Sequence, residues 1–228
     1  MPVNTFADRA ISFFNSLELE LDDSLKIGVL NPYQSTIVKN VVDNFFTKYF
    51  NDRNQRIFIF GINPGRHGGG ITGISFTDPL ALLKHCGIEN VFNKRFELSS
   101  EFIYRVIERY GGPGLFYRHF FLTAICPLGF TKDNKNYNYY DDKKLLEAVE
   151  PFIRETFNSQ INIGAKKDVL ICLGTGKNKR FIETLNNETQ YFKKVIALEH
   201  PRFIMQYKRK KLEAYIQQYV NTISDLVI

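Results

Sequence analysis

The chain has 228 residues, 44% of them hydrophobic and 24% charged, which suits one globular domain over residues 1–228, and its net charge of +6 permits a polyanionic partner. No apolar run is long enough to span a bilayer and no secretory signal is visible, so we expect a cytoplasmic protein with no membrane contact. Cys86, Cys126 and Cys172 are too few and too widely spaced for a disulfide framework or an iron–sulfur cluster, and no metal or organic cofactor is expected.

The first third of the chain predicts two amphipathic helices followed by a buried strand. Apolar residues at helical spacing predict helices over about 4–17, capped by Asn4, and over about 33–50. Residues 56–60 are mostly aromatic and β-branched, which predicts a buried strand. The strand runs into a glycine-rich stretch, residues 61–76, here named the glycine loop. Such a loop buries little and costs conformational entropy, so it indicates a ligand site more than a structural turn.

Helical and strand patterns alternate over the rest of the chain. The predicted helices lie at about 79–85, 102–110, 143–156 and 178–185, with a last one along the stripe Leu212, Ile216, Val220 and Ile223. The predicted strands lie at about 119–125, 168–173 and 194–198, and the polar residues 133–140 predict a surface loop. Strands separated by helices favour an α/β fold with a parallel sheet covered by helices on both faces. Such a sheet binds its ligand at the carboxyl ends of the strands.

The glycine loop departs from the common nucleotide-binding signatures. It has no Walker A sequence, and Pro64 prevents the helix start that a dinucleotide fingerprint requires. Eight of its residues fit the pattern G-M-N-P-G-x-x-G-x-x-x-T-G-x-x-F: Gly61, Asn63, Pro64, Gly65, Gly68, Thr72, Gly73 and Phe76. The loop therefore resembles motif 1 of the uracil-DNA glycosylase superfamily, in its single-strand-selective monofunctional branch. The resemblance implies a three-layer αβα fold with a central, mostly parallel four-stranded sheet.

The resemblance also assigns catalytic chemistry to Asn63 and His200. Cleavage of an N-glycosidic bond requires a positioned water and stabilisation of the negative charge that builds on the departing base. Asn63 corresponds to the family's catalytic asparagine, which positions the water. His200, followed by Pro201, corresponds to the motif 2 histidine, which donates a hydrogen bond to O2 of the base. Taken alone, Asn63 also suits an Asx turn and His200 a core position, and the surrounding motifs favour catalysis.

Three further residues of the glycine loop are expected to bind the base. By resemblance, Phe76 stacks on the flipped base, a contact that tolerates any base. The backbone of Ile62 is expected to contribute donors and acceptors to the base. Gly65 stands where other branches carry a bulky residue that blocks the C5 substituent of thymine, so glycine leaves room for modified pyrimidines or larger bases.

The sequence departs from the family where the base is read. Residues 121–128 resemble the family's F-V-H-N-x-C-P-L, but the asparagine that reads uracil falls on Ala124. A methyl group makes no hydrogen bond, so discrimination should weaken by about 1–3 kcal/mol for each good pair lost. Other deaminated bases such as xanthine therefore become candidate substrates. Thr123 or the loop 134–138 remains able to take over the reading.

A second departure follows His200. The family places a wedge arginine after this histidine, and here the chain continues Arg202-Phe203-Ile204. Apolar side chains also unstack bases, so we expect Phe203 or Ile204 to fill the gap and Arg202 to contact phosphate. The same role is expected of the basic run Lys208, Arg209 and Lys210. By itself such a run favours a solvated helix start, and its position beside His200 adds the DNA-binding interpretation.

Together these features predict a monofunctional DNA glycosylase of base excision repair that removes uracil, and deaminated bases such as xanthine, flipped out of single- or double-stranded DNA. We expect a monomer. We also expect no lyase step, because no lysine is placed as a Schiff-base nucleophile. The alternative is a non-catalytic nucleic-acid-binding protein that keeps the fold. A nucleotide-binding enzyme is disfavoured, because Gly174-Thr175-Gly176-Lys177 is too short for a phosphate loop.

Overall fold

A computed structural model describes residues 4–227 of the chain. Its helices are α1 (Phe6–Asn15), α2 (Thr36–Phe50), α3 (Gly69–Thr72), α4 (Pro79–Lys84), α5 (Leu98–Tyr110), α6 (Pro113–His119), α7 (Lys143–Gly164), α8 (Lys177–Thr189), α9 (Pro201–Tyr207) and α10 (Leu212–Ser224). Its strands are β1 (Gly28–Leu30), β2 (Arg56–Gly61), β3 (Phe120–Ala124), β4 (Gly129–Lys132), β5 (Lys135–Tyr137), β6 (Ala165–Leu173) and β7 (Lys194–Leu198). Among the residues described, no helix has the length and apolar character needed to cross a bilayer.

The centre of the molecule is a parallel sheet of four strands in the order β3-β2-β6-β7. Gly61 at the end of β2 pairs with Ala124 at the end of β3, so these two strands finish at the same level. Strand β7 pairs with β6 up to Leu198, which brings His200 to the same edge. The predicted four-stranded parallel sheet is confirmed, and its carboxyl edge collects residues from three distant segments.

Helices cover both faces of this sheet. On one face Phe58 lies 6.2 Å from Phe6 of α1, and Phe60 lies 5.3 Å from Phe157 of α7, measured between ring centroids. On the other face the aliphatic side chains of the strands, such as Ile59, meet α5, α6 and α10. Each fully buried aromatic or aliphatic side chain contributes about 1.5–3 kcal/mol, so the three-layer αβα arrangement is held by these two apolar seams. The predicted fold class is confirmed.

Several element boundaries differ from the sequence prediction. Thr5, not Asn4, caps α1, because Oγ1 of Thr5 accepts a hydrogen bond from the N–H of Asp8 at 3.1 Å while the carboxylate of Asp8 accepts one from the N–H of Thr5 at 2.8 Å. Helix α7 extends to Gly164, beyond the predicted end at 156. The helices α3, α6 and α9 have at most seven residues each and were not predicted, because so short a segment shows no clear helical period.

The prediction that residues 133–140 form a surface loop is wrong, because part of the segment is a strand. Strands β4 and β5 form an antiparallel hairpin that pairs with β1 in a second sheet of order β1-β4-β5. Asp133 and Asn134 take left-handed backbone conformations at the turn, with φ of 50° and 57°. Tyr139, two residues beyond β5, is fully buried. The segment is therefore anchored to the body of the protein, and it lies beside the glycine loop.

Candidate active site

One cavity of about 610 Å³ opens at the carboxyl edge of the central sheet. Its walls include Asn63 after β2, Ala124 at the end of β3 and His200 after β7. Residues of the glycine loop, the β5 hairpin, the start of α5 and helix α9 complete the wall. Asn63 and His200, which the sequence pairs as catalytic residues, thus face the same cavity although 137 positions separate their numbers.

The side-chain amide of Asn63 is held in one orientation by the backbone at the end of β5 and just beyond it. Its Nδ2 donates to the carbonyl oxygen of Tyr137 at 3.1 Å, and its Oδ1 accepts from the N–H of Tyr139 at 3.1 Å. One donor and one acceptor partner fix which end of the amide is oxygen. This amide is therefore anchored by a distant hairpin and not by an Asx turn. A second lone pair on Oδ1 stays available to a ligand or water.

The ring of His200 is fixed by the first turn of α9. His200 caps this helix, and its Nδ1 accepts a hydrogen bond from the backbone N–H of Arg202 at 3.2 Å. A nitrogen that accepts carries no proton, so the proton of the neutral ring lies on Nε2. Burial, assisted by the positive charge of Arg202, lowers the pKa of His200 to about 4. At neutral pH the ring is uncharged and keeps one N–H donor.

Phe76 lies between the strand edge and His200. Its ring packs on Gly61 so closely that a β-carbon built there would lie 2.5 Å from Cζ. The ring centroids of Phe76 and His200 are 6.0 Å apart, and both side chains line the cavity. Phe76 has a φ of 55°, a left-handed conformation that costs an aromatic residue about 1–3 kcal/mol and persists only where the surroundings enforce it.

At the end of β3, the side chain that faces the cavity is the methyl group of Ala124. The side chain of Ala124 lines the cavity, while its carbonyl oxygen accepts a hydrogen bond from Nε2 of Gln160 at 3.2 Å. The hydroxyl of Thr123 is fully buried and donates to Oε1 of Gln160. Thr123 therefore points into the core and is not available to read a base, contrary to the option that the sequence left open.

Ile62 and Gly65 also line the cavity, as the sequence predicts for base-binding positions. The carbonyl of Ile62 already accepts a hydrogen bond from the N–H of Cys126 at 3.1 Å. A β-carbon built on Gly65 would lie 3.2 Å from Nδ2 of Asn136, so the glycine admits this amide to the cavity wall. The roles of Ile62 and Gly65 in binding a base stay predictions.

The β4–β5 hairpin contains the segment 134–138, which the sequence left open as a reader of the base, and three of its residues line the cavity: Lys135, Asn136 and Asn138. Oδ1 of Asn136 accepts from the N–H of Arg66 at 3.0 Å, which joins the hairpin to the glycine loop. Tyr139 anchors the hairpin from below, because its hydroxyl donates to Oδ1 of Asn178 at 2.9 Å. Nδ2 of Asn178 in turn donates to the carbonyl of Gly61 at 3.3 Å. The only sequence signal was the asparagine-rich composition of 134–138, which carries no periodicity.

The segment after His200 is split between the cavity and the core. Arg202 and Phe203 line the cavity, and Phe203 is 38% exposed. Ile204 is fully buried in the core, so its predicted role as a wedge or DNA-contacting residue is wrong. The physical reason is the helical period of α9, which turns Phe203 outward and Ile204 toward the core.

The predicted basic run lies beyond the cavity wall. Lys208, Arg209 and Lys210 are exposed and follow α9, with Nζ of Lys208 5.7 Å from the ring centre of Phe203. Tyr207, which the sequence analysis did not select, is 71% exposed and lies 5.5 Å from Phe203 between ring centroids. An aromatic pair thus stands between the cavity and the basic run, and contact of that run with DNA stays a prediction.

Glu97 is an acidic residue of the cavity that no motif indicated. Its carboxylate packs against the glycine loop, where a β-carbon built on Gly68 would lie only 1.9 Å from Oε2. Burial raises the pKa of Glu97 to about 7, Arg202 opposes the rise and Asp78 adds to it. Within residues 4–227 the carboxylate has no hydrogen-bond donor at standard distance. The cavity wall therefore contains a carboxyl group that is partly protonated at neutral pH.

Comparison with known proteins agrees with this geometry. The family model of the uracil-DNA glycosylase superfamily matches residues 47–224. The crystal structure of wild-type SMUG2 from Pedobacter heparinus is similar to this chain with a TM-score of 0.93 and 42% sequence identity, over 98% of this chain and 99% of that one. A comparison with curated proteins gave no match. The chain thus belongs to the uracil-DNA glycosylase superfamily, in its SMUG-like branch, and is a DNA glycosylase that hydrolyses N-glycosidic bonds.

Proposed function

We propose that this enzyme removes uracil, and larger deaminated bases such as xanthine, from nucleotides that are flipped out of DNA into the cavity. The observation that carries the proposal is the shared cavity wall of Asn63, Phe76 and His200. A cavity of about 610 Å³ exceeds the needs of a single pyrimidine, and Gly65 and Ala124 place no bulky side chain at their two positions in its wall. We propose that uracil and xanthine are both accommodated for this reason.

Asn63 is proposed to position the attacking water. The bond from C1′ to the base nitrogen breaks and its electron pair leaves with the base, while the water oxygen bonds to C1′ and releases a proton. An amide does not deprotonate water strongly, so this role suits a reaction in which bond breaking runs ahead of attack. The hydrogen bonds of Asn63 to Tyr137 and Tyr139 support it, because they hold Oδ1 still.

His200 is proposed to stabilise the base as negative charge develops on its O2. The Nε2–H donor is fixed by the contact of Nδ1 with Arg202, and the neutral ring needs no proton transfer to donate. A preorganised donor of this kind is worth about 2.7–4 kcal/mol in comparable sites. Phe76 is proposed to stack on the same base, since it lies 6.0 Å from the His200 ring and faces the cavity.

DNA is proposed to approach over α9. Phe203 takes the place of the extruded base in the duplex, because it is exposed and stands at the cavity wall. Arg202, together with Lys208, Arg209 and Lys210, contacts phosphates. The enzyme is proposed to act as a monomer, since one chain supplies all the residues of the proposed mechanism.

The test is base release from oligonucleotides that differ only in one lesion. Uracil and xanthine are each placed in single-stranded and in duplex DNA, and abasic sites are cleaved with alkali and quantified. We expect release of both bases by the wild-type protein, and a loss of at least 100-fold with Asn63→Ala or His200→Ala. Binding of DNA without release of any deaminated base would refute catalysis and favour the non-catalytic alternative, to which the loss of the reading asparagine at Ala124 points.

A further inference from the structure

Deamination changes one feature of a base that a protein can read. It replaces an exocyclic amino group, which donates hydrogen bonds, with a carbonyl, which accepts them. A hydroxyl cannot tell the two apart, because it rotates to donate or accept. Discrimination requires a donor that the protein holds in a fixed orientation and that has no acceptor of its own.

Ala124 and Thr123 do not supply that donor. Ala124 contributes a methyl group, and its carbonyl accepts from Gln160. The hydroxyl of Thr123 is directed at Gln160 in the core. Reading must therefore come from another part of the cavity wall.

Three other side-chain amides line the cavity, and none of them has a fixed N–H donor without a partner. Both ends of the Asn63 amide are engaged by the backbone of Tyr137 and Tyr139. Nδ2 of Asn138 faces Oδ1 of Asp141 at 3.3 Å. Gln206 is exposed, so nothing buried fixes its amide. These three side chains do not meet the requirement of an oriented and unpartnered donor.

Asn136 meets it. Arg66 supplies a backbone N–H to Oδ1 of Asn136 at 3.0 Å, which fixes the amide so that Nδ2 is the free end. Nδ2 lies 3.2 Å from a β-carbon built on Gly65 and so borders the cavity, and within residues 4–227 it has no acceptor partner at hydrogen-bond distance. Because the side chain is half-buried, an unpaired N–H there is costly until a ligand supplies an acceptor.

We propose that Asn136 is the specificity-determining residue of this enzyme, whose Nδ2–H donates to the exocyclic carbonyl that deamination creates on the base. The inference rests on the proposed function. It explains how the enzyme distinguishes deaminated bases from their amino-bearing parents with alanine at position 124. A side chain at position 65 would crowd both this amide and Glu97, because an added β-carbon would lie 3.2 Å from Nδ2 of Asn136 and 3.1 Å from Oε1 of Glu97.

The test combines a change in the protein with a change in the base. Single-turnover excision is measured for uracil and for 2-pyrimidinone, which lacks the O4 carbonyl, each in the same single-stranded oligonucleotide. Asn136→Ala should slow uracil excision about 10- to 100-fold more than it slows 2-pyrimidinone excision, because the lost contact with Arg66 affects both bases alike. Each variant is compared with the wild type on the same base, so the different leaving-group abilities of the two bases cancel.

Asn136→Asp separates the proposed contact of Asn136 with the base from its structural contact with Arg66. Aspartate keeps an oxygen for the N–H of Arg66 but puts an acceptor where Nδ2 stood, so uracil excision should fall at least as far as with alanine. Asn138→Ala, which removes the neighbouring amide, should affect both bases equally. Equal losses on both bases with Asn136→Ala, or full uracil excision by Asn136→Asp, would overturn the inference. Failure of the wild-type enzyme to release either base would instead refute the proposed function.

Discussion

The backbone N–H of Arg202 donates to Nδ1 of His200 at 3.2 Å and thereby decides which nitrogen of the imidazole carries the proton. This contact exists because His200 caps α9, and the cap places the ring at the first turn of the helix. The second nitrogen, Nε2, is left as the donor. A helix cap thus selects the tautomer of a histidine at the cavity wall, with no charged partner required.

His200 should titrate well below an ordinary histidine. Burial, assisted by Arg202, disfavours the charged ring and lowers its pKa to about 4, so the ring stays neutral from pH 8 to about pH 5. Proton NMR of the four histidines, with His200→Ala for assignment, should show one ring signal with a midpoint near 4. A midpoint near 6.5 would contradict the burial of the ring.

The depressed pKa of His200 also has a consequence for stability. The unfolded chain binds a proton on this ring below about pH 6.5, whereas the folded protein does so only below about 4. The unfolded state therefore carries more protons between these values, and His200 makes the protein less stable as the pH falls through that window. His200→Asn should reduce the loss of melting temperature between pH 6.5 and pH 4, relative to wild type.

Asn63→Ala should remove catalysis and weaken the hairpin contact together. The variant loses the proposed water contact, so single-turnover excision should fall about 100- to 10,000-fold. It also frees the N–H of Tyr139 and the carbonyl of Tyr137, which should lower the free energy of unfolding by about 1–3 kcal/mol. Excision within tenfold of wild type, in protein that stays folded by circular dichroism, would exclude the proposed role of Asn63.

Glu97→Gln should stabilise the protein most at high pH. The folded-state pKa of Glu97 is raised to about 7 from an ordinary 4.5, chiefly by burial, so the folded protein holds the extra proton between these values. Wild-type stability contributed by this group is then present below about pH 4.5 and is lost as the pH rises through about 7. Glutamine is neutral throughout, so its melting temperature should exceed that of wild type by more at pH 8 than at pH 5.

The groups around Glu97 set the direction of this shift. Arg202 lowers the pKa of Glu97 and Asp78 raises it, while the N–H of Glu97 donates to Oδ2 of Asp78 at 2.9 Å. Arg202→Gln should therefore raise the pKa of Glu97 further, which makes the stability loss larger and extends it to higher pH, while its start near pH 4.5 is unchanged. A stability difference between Glu97→Gln and wild type that is the same at pH 5 and pH 8 would show that the carboxyl is not perturbed.

Gly68→Ala should be costly only while Glu97 is present. The added β-carbon would lie 1.9 Å from Oε2 of Glu97, so the carboxylate must move and the glycine loop loses its packing. We expect a loss of about 1–3 kcal/mol in the free energy of unfolding. Denaturant unfolding of Gly68→Ala, Glu97→Ala and the double variant completes the cycle, and the double variant should recover most of the loss. Additive effects would mean that the two residues do not interact.

Phe203 and Ile204 should respond to alanine substitution in opposite ways. Phe203→Ala should leave stability nearly unchanged and slow excision from duplex DNA more than from single strands, because only the duplex leaves a gap to fill. Ile204→Ala should lower the free energy of unfolding by about 2–5 kcal/mol through a core cavity. Excision rates on duplex and single-stranded DNA, measured beside thermal unfolding, separate the two effects. If the ratio of the duplex rate to the single-strand rate is the same for Phe203→Ala and wild type, Phe203 is not the wedge.

The local pattern of the sequence was sufficient for the central sheet and for the position of the glycine loop. Buried strands such as 56–60 carry a continuous apolar run, and the turn at Asn63-Pro64-Gly65 follows from the geometry that each residue permits. An aspartate followed by proline is a typical helix start, and Oδ1 of Asp78 accepts from the N–H of Ala81 at 2.8 Å. These features depend on neighbours in the chain, which is why they are visible in one sequence.

Only the tertiary structure decided which groups share the cavity and what each is free to do. Asn63 meets Tyr139 across 76 positions, and Asn136 meets Arg66 across 70, through a hairpin too short and too polar to show a strand period. The split of α9 into an exposed Phe203 and a buried Ile204 likewise required the helix to be in place. Composition and periodicity report short-range preferences, whereas the orientation of an amide or an imidazole is set by a partner that folding brings from elsewhere in the chain.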